Sequence, residues 1–179
     1  MQSTTSRYGS TAIALHWLMA LLILANFCLG LYMADLPFSL ARVKLFNYHK
    51  WAGMTILALA ALRLLWRLTH RPPADLPAPR WQHLAAHVTH WALYGLFFAV
   101  PLLGWAYSSA KGFPIVWFGV LPLPDFVPKD EALADVLKEC HELFAWVLVG
   151  LVCLHVAAVA KHLVIDKDGT LRRMLPGRA

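Results

Sequence analysis

The chain has 179 residues, of which 59% are hydrophobic and only 15% are charged. Soluble domains carry about a quarter of charged residues, so this composition excludes an ordinary soluble fold and indicates a membrane protein. The formal net charge of +6 does not indicate nucleic-acid binding, because the basic residues are distributed as they are in the loops of membrane proteins.

Four apolar segments dominate the sequence. Each is about twenty residues long, which is the length a helix needs to cross about 30 Å of hydrocarbon. Backbone groups in lipid must be paired within the segment, so helices are the predicted conformation. The sequence therefore predicts one all-α membrane domain over residues 1–179, a bundle of four transmembrane helices at about 12–34, 49–68, 85–107 and 141–165.

Three loops join these predicted helices. The first, 35–48, is short and mixed in composition. The second, 69–81, contains four prolines and reads as a stiff connector. The third, from about 108 to 138, begins with an apolar, aromatic stretch typical of the membrane surface and continues as an acidic helical approach to the fourth helix. Pro101 and Gly104 predict a kink in the third helix.

Basic residues are enriched on one side of this predicted bundle. The N-terminus, the second loop and the C-terminal tail together hold most of them and carry few acids, whereas the other side is slightly acidic. The positive-inside rule then predicts that both termini are cytoplasmic. The cations on that side are Arg7, Arg63, Arg67, Arg71, Arg80, Lys161, Lys167, Arg172, Arg173 and Arg178.

Two histidines of the last apolar segment are fourteen residues apart. That spacing corresponds to a rise of about 21 Å and falls within about 40° of a whole number of turns, so His141 and His155 share one face at two depths. His49 opens the second predicted helix at the depth of His141. His16 lies one turn into the first helix, closest in depth to His155. We call His49 with His141 the outer pair, and His16 with His155 the inner pair.

Imidazole inside hydrocarbon is costly unless it binds something. Neutral imidazole binds iron, zinc and copper, but a structural zinc site needs four converging ligands. Two imidazoles from different helices suit the axial positions of a b-type heme and leave no open iron position, which favours electron transfer. The sequence has no C-x-x-C-H motif, so such a heme is not covalently attached. Gly53 and Gly150 leave room for a macrocycle near these ligands.

Other polar residues are candidates for roles around a heme. Arg63 lies fourteen residues after His49 and is a candidate partner for a heme propionate, although an arginine that extends toward the headgroups explains it equally well. Arg7 and Lys50 are weaker candidates of the same kind. His162 is an alternative partner for His16. Two further histidines open the third helix and are candidate ligands, quinone or proton-transfer groups, or interfacial residues: His87 and His90.

Several segments also resemble a known family. These are RYGSTAIALHWLMALLIL with His16, NYHKWAGMTILALAALRLLWRL with His49 and Arg63, HLAAHVTHWALYGLFFAVPLLGW, and CHELFAWVLVGLVCLHVAAVAKH with His141 and His155. Together with the ending DGTLRRMLP they resemble the bacterial cytochrome b561 family of four-helix, two-heme membrane cytochromes. The resemblance covers almost the whole chain.

The resemblance implies two b hemes with axial ligands at the four paired histidines, in a multi-pass protein of the bacterial inner membrane. It also implies electron exchange with membrane quinone, most simply ubiquinone. Some members resemble superoxide oxidases, in which superoxide at the periplasmic face is the electron donor. Under this hypothesis Lys44 and Lys50 attract the superoxide anion, and His87, His90 and His162 are available for the protons of the quinone.

Two alternatives stay open at this point. The first is an electron conduit that serves as the membrane subunit of a dehydrogenase or hydrogenase, with the aromatic third loop as the docking surface for the redox partner. The second is a histidine-based metal-ion transporter. Transport usually needs acids along the path, and the apolar segments hold almost none.

Overall fold

A computed structural model describes residues 7–177 of the chain. Four long helices make up most of it, and each is long and apolar enough to cross a membrane. The predicted all-α bundle of four membrane helices is therefore confirmed. The predicted cytoplasmic cation Arg178 lies outside the described residues. The helices are α1 (Ser10–Ala34), α2 (Leu40–Thr69), α3 (Arg80–Ala110) and α4 (Glu131–Lys161).

The helices extend well beyond the apolar segments, which corrects the predicted boundaries. The first loop was predicted to reach Tyr48, but α2 begins at Leu40, where the Ser39 side chain accepts from the Arg42 N–H at 3.2 Å. α4 begins ten residues before His141, and the Asp130 carboxylate caps it through the Leu133 N–H at 3.0 Å. Hydropathy marks only the part of a helix in hydrocarbon, so the polar first turns of α2 were missed. The acidic helical approach predicted before the fourth apolar segment is confirmed as the start of α4.

A small antiparallel hairpin lies between α3 and α4. Its strands are Val116–Trp117 and Leu121–Pro122. The Trp51 indole N–H on α2 donates to the Val116 carbonyl at 2.6 Å, and the Trp117 indole donates to the Trp51 carbonyl at 3.2 Å. The aromatic third loop is therefore fixed to the outer half of α2, next to His49.

The bundle core lies between the two histidine depths. α3 packs most extensively on α4, α1 packs on α2, and α2 also packs on α3. Leu148 belongs to the core cluster and is seven residues from both His141 and His155, so the cluster separates the outer pair from the inner pair along the bundle. The other buried members are Met19, Ala60, Leu93, Tyr94, Leu96 and Phe97.

The C-terminal tail returns to the start of α1. After α4 the chain forms a π-helical turn, His162–Asp166, and a 3-10 turn, Leu171–Arg173. The Trp17 indole donates to the Met174 carbonyl at 2.7 Å, and the Tyr8 amide donates to the Arg173 carbonyl at 3.3 Å. The two ends of the described chain therefore lie together at one end of the bundle.

Candidate functional site

The outer pair comes together between α2 and α4. The ring centroids of His49 and His141 are 6.1 Å apart. A metal held at about 2.0–2.1 Å by one nitrogen of each of two facing imidazoles separates the ring centroids by about 6 Å. The spacing of this pair therefore fits axial ligation of one metal ion.

Backbone carbonyls orient both outer imidazoles. The Nδ1 atom of His141 is 2.9 Å from the Val100 carbonyl oxygen, and the Nδ1 atom of His49 is 3.2 Å from the Asn26 carbonyl oxygen. A carbonyl can only accept, so each Nδ1 carries the hydrogen and each Nε2 is left with its lone pair. This arrangement fixes the tautomer and the ring direction that a metal ligand needs.

Two glycines allow the helices to approach these rings. A Cβ atom added to Gly104 would lie 3.0 Å from His141 Cε1, and one added to Gly30 would lie 3.1 Å from His49 Cε1. The glycines singled out from the sequence are elsewhere. A Cβ on Gly53 would meet only the Asn26 amide, at 3.9 Å, and one on Gly150 would meet no atom within 4 Å. Their proposed role in leaving room for a macrocycle stays a prediction.

The inner pair comes together between α1 and α4. The ring centroids of His16 and His155 are 6.3 Å apart, which again fits two axial ligands of one metal. A side chain, rather than the backbone, meets His16, because Arg63 Nη2 lies 3.1 Å from His16 Nδ1. A guanidinium only donates, so this Nδ1 is the acceptor.

A third histidine joins the inner pair. The ring centroid of His90 on α3 lies 5.6 Å from that of His155. His87, one turn earlier, is exposed and accepts from the Trp91 indole at 3.0 Å. Of the two histidines predicted at the start of the third helix, only His90 contacts the candidate site.

Comparison with known proteins identifies the family. Residues 7–177 match the family model described as prokaryotic cytochrome b561. The chain belongs to that family. The cytochrome is 38% identical over 175 residues to Cytochrome b561 homolog 2 of Escherichia coli K12, covering 97% of this chain and 93% of the relative. It is 32% identical over 178 residues to Probable superoxide oxidase CybB of Yersinia pestis, covering 95% and 96%, and 32% identical over 177 residues to Cytochrome b561 homolog 1 of Escherichia coli K12, covering 97% and 99%.

Membership of this family identifies the chain as a multi-pass inner-membrane cytochrome that binds heme b. The donor set fits that group. Each pair brings two imidazoles together with ring centroids about 6 Å apart, and both outer imidazoles present a free Nε2. Within residues 7–177 no cysteine joins either pair in a group of three or more metal-ligating side chains, as a structural zinc site would need. The arginine at the inner pair is a further feature that suits an anionic macrocycle.

The remaining predicted cations lie at the two ends of the bundle. Lys50 Nζ donates to Ser108 Oγ at 3.0 Å and to the Phe113 carbonyl at 3.1 Å, which ties α2 to the end of α3. Lys44 is exposed one and a half turns earlier on α2. Arg7 donates to the Gly177 carbonyl at 2.9 Å and to the Leu175 carbonyl, so it holds the tail, and its role toward a propionate stays a prediction.

His162 faces the tail rather than the inner pair. Its Nδ1 lies 2.6 Å from Asp168 Oδ2 and 3.0 Å from Asp166 Oδ2. Partial burial acts to raise the pKa of Asp168, but hydrogen bonds from Thr170 and His162 outweigh it and hold that pKa below its usual range. His162 therefore stabilises the turn after α4, and these contacts do not support it as the partner of His16.

Sequence reasoning missed the groups that orient the outer imidazoles. The Val100 and Asn26 carbonyls carry no side-chain signal at all. Gly104 was noticed only as a helix breaker, and Gly30 was not noticed. Their positions could have predicted these contacts, because each glycine lies in the outer half of a helix that faces one of the outer histidines.

Proposed function

We propose that this cytochrome is a two-heme quinone oxidoreductase that moves electrons between the periplasmic face and the membrane quinone pool. The observation that carries the proposal is the presence of two imidazole pairs at two depths, with centroid separations of 6.1 and 6.3 Å. His49 and His141 are the proposed ligands of the outer heme, and His16 and His155 those of the inner heme. The distribution of basic residues supports cytoplasmic termini.

Bound b hemes supply one-electron redox chemistry. The protein residues determine where the electrons are exchanged and whether a substrate can bind the metal. Each histidine pair would hold one heme with two protein ligands, so substrates would exchange electrons with it without binding the metal. α4 contributes one ligand to each site, about 21 Å apart along its axis, and so aligns the sites across the membrane.

The proposed donor at the periplasmic face is superoxide. A relative that is 32% identical is named as a probable superoxide oxidase, which motivates this choice. Oxidation of two superoxide anions yields two dioxygen molecules and two electrons, and one quinone takes up these electrons with two protons to form the quinol. Lys50, one residue after the outer ligand His49, supplies positive charge that attracts the anion.

The proposed quinone, ubiquinone, reacts at the cytoplasmic end. Quinone reduction needs two protons, and histidine is the side chain best suited to deliver them near neutral pH. His90 is the strongest candidate, because it contacts His155 of the inner pair and is not one of the four proposed ligands. His87 is a candidate for relay from solvent, since it is exposed one turn away.

The test uses the purified full-length protein in detergent or in vesicles. We expect two b hemes per chain by absorption spectroscopy, rapid heme reduction by enzymatically generated superoxide, and stoichiometric reduction of added ubiquinone. A protein with one heme per chain would refute the two-site assignment. A protein with two hemes that superoxide does not reduce would leave the sites standing and refute the donor.

A second candidate is an electron conduit for a dehydrogenase or hydrogenase partner. The observation in its favour is the apolar, exposed surface of the third loop, where Val120, Phe113 and Phe118 expose 83%, 65% and 59% of their surface. Stable catalytic turnover by the lone chain would argue against it. The metal-transport hypothesis loses its support, because the chain belongs to a heme-binding cytochrome family.

A further inference from the structure

Two arginines on successive turns of α2 face the inner site. Arg63 and Arg67 are four residues apart and therefore share one face of the helix. The Cζ atom of Arg63 lies 5.6 Å from the centroid of the Tyr94 ring, and that of Arg67 lies 5.5 Å from the same centroid. Arg67 also lies 5.6 Å from the Trp91 ring centroid. Tyr94 is buried, so both guanidiniums are held against an interior surface.

These two positive charges have no acidic partner in the part of the chain that the structure describes. Within residues 7–177 no aspartate or glutamate lies within ion-pair distance of Arg63 or Arg67. Like charges four residues apart on a helix repel each other, and charge within a membrane helix is costly without a partner. The cation–π contacts with Tyr94 and Trp91 offset part of that cost but do not neutralise it. Both charges are therefore available to an anion from outside the chain.

The position of the pair identifies the chemistry of that anion. Arg63 is 3.1 Å from His16, so the anion lies beside the inner pair. A b-type heme carries two carboxylates on one edge of its ring, and two guanidiniums match them in number and in charge. Guanidinium–carboxylate contacts are among the stronger hydrogen bonds in proteins, since both partners are charged.

We infer that Arg63 and Arg67 form a two-arginine clamp that binds both propionates of the inner heme, with Tyr94 as their shared support. Arg67 is thereby assigned as a heme-positioning residue. This inference rests on the proposed assignment of His16 and His155 as the ligands of the inner heme. It accounts for why two arginines, rather than one, lie on the buried face of α2.

The decisive variant is Arg67→Gln, with Arg80→Gln as the matched control. Arg80 is an exposed arginine at the first residue of α3, at the same end of the bundle. Loss of one hydrogen-bonded charge at the inner heme should speed transfer of one of the two hemes to apomyoglobin by about 10- to 100-fold. The midpoint potential of that heme should fall, because a nearby cation favours the reduced form. Arg80→Gln should change neither quantity.

Two further variants separate positioning from folding. Arg67→Lys retains the charge but not the planar fork, so it should restore most of the midpoint potential and only part of the heme retention. In a His49→Ala background only the inner heme remains, and Arg67→Gln should then accelerate loss of that remaining heme.

Three results would overturn the inference. Equal acceleration for both hemes would indicate a general folding role, and no acceleration would indicate that Arg67 binds a lipid phosphate instead. An unchanged midpoint potential would exclude contact with the propionates. Heme transfer and potentials are measured without superoxide or quinone, so failure of the proposed donor or acceptor leaves this test unaffected.

Discussion

The two histidine pairs have nearly the same spacing but are held in different ways. At the outer pair the protein backbone positions the imidazoles, because two carbonyls orient the rings and two glycines lie against them. At the inner pair charged and aromatic side chains surround the rings, with Arg63 on His16 and His90 against His155. The outer geometry therefore depends on helix packing, whereas the inner geometry depends on electrostatics.

This difference between the two sites predicts different midpoint potentials for the two proposed hemes. A neutral carbonyl that accepts from Nδ1 makes the imidazole a stronger donor to the metal and favours the oxidised form. Cations beside a site favour the reduced form. We therefore expect the inner heme to have the higher midpoint potential of the two, which favours electron flow from the periplasmic to the cytoplasmic side.

The largest expected effect is the loss of one whole heme. His141→Ala removes a proposed heme ligand of the outer pair, and His155→Ala removes one of the inner pair. Each variant should retain about half the heme of the wild-type protein, and the remaining heme should differ in potential between the two. Pyridine hemochrome analysis with a redox titration checks this. Loss of both hemes from each variant would contradict independent sites, and His87→Ala is the control expected to keep both.

A smaller effect is expected when the outer glycines are changed. In Gly104→Ala the new Cβ would lie 3.0 Å from the His141 ring, which forces the ring or the helix to move. Overpacking of this kind costs about 1–3 kcal/mol. The outer heme should be lost more readily and its low-temperature EPR signal should shift, while the inner signal stays. Gly150→Ala is the matched control, because its Cβ would meet no atom within 4 Å.

The next effect concerns charge at the outer end. Lys50→Gln removes a cation beside His49 and should slow heme reduction by superoxide severalfold at low ionic strength, because electrostatic steering raises association rates. Stopped-flow measurements at rising salt should show the difference shrinking. Lys50 also binds Ser108, so Lys50→Arg is the control that retains charge and hydrogen bonding. A salt-independent rate in the wild-type protein would refute steering.

The smallest effect lies in the turn after α4. The pKa of Asp168 is lower in the folded protein than in the unfolded chain, so the ionised carboxylate stabilises the fold at pH values above its unfolded pKa. This stabilisation is lost as the pH falls through the lowered pKa, below about pH 4. Because Asp168 is partly exposed to solvent, the effect on stability is limited to less than about 1 kcal/mol. The Thr170 amide donates to Asp168 at 2.9 Å, so its protection against hydrogen exchange should decrease as the pH is lowered. Asp168→Asn should remove the pH dependence, and an unchanged wild-type profile would contradict it.

The sequence alone predicts the four-helix bundle and the pairing of the histidines, but it does not predict the carbonyls and glycines that position the outer imidazoles. A period of 3.6 residues and a span of about 30 Å predict helices and relative depth, and these brought His141 opposite His49. The polar turns of α2 before His49 were missed, because hydropathy gives no signal outside the hydrocarbon, whereas the acidic helical approach to His141 was predicted. The carbonyl of Val100 and the approach of Gly104 depend on how α3 lies against α4, which is a property of packing and has no local sequence pattern.

The position of α4 as the last of the four long helices has a consequence for biosynthesis. Each pair takes one histidine from this helix, His141 in one case and His155 in the other, and its second histidine from α1 or α2. A nascent chain that has inserted its first three helices therefore contains neither pair. Binding of the cofactor by either pair must wait until α4 has been made and enters the membrane beside partners that were inserted first.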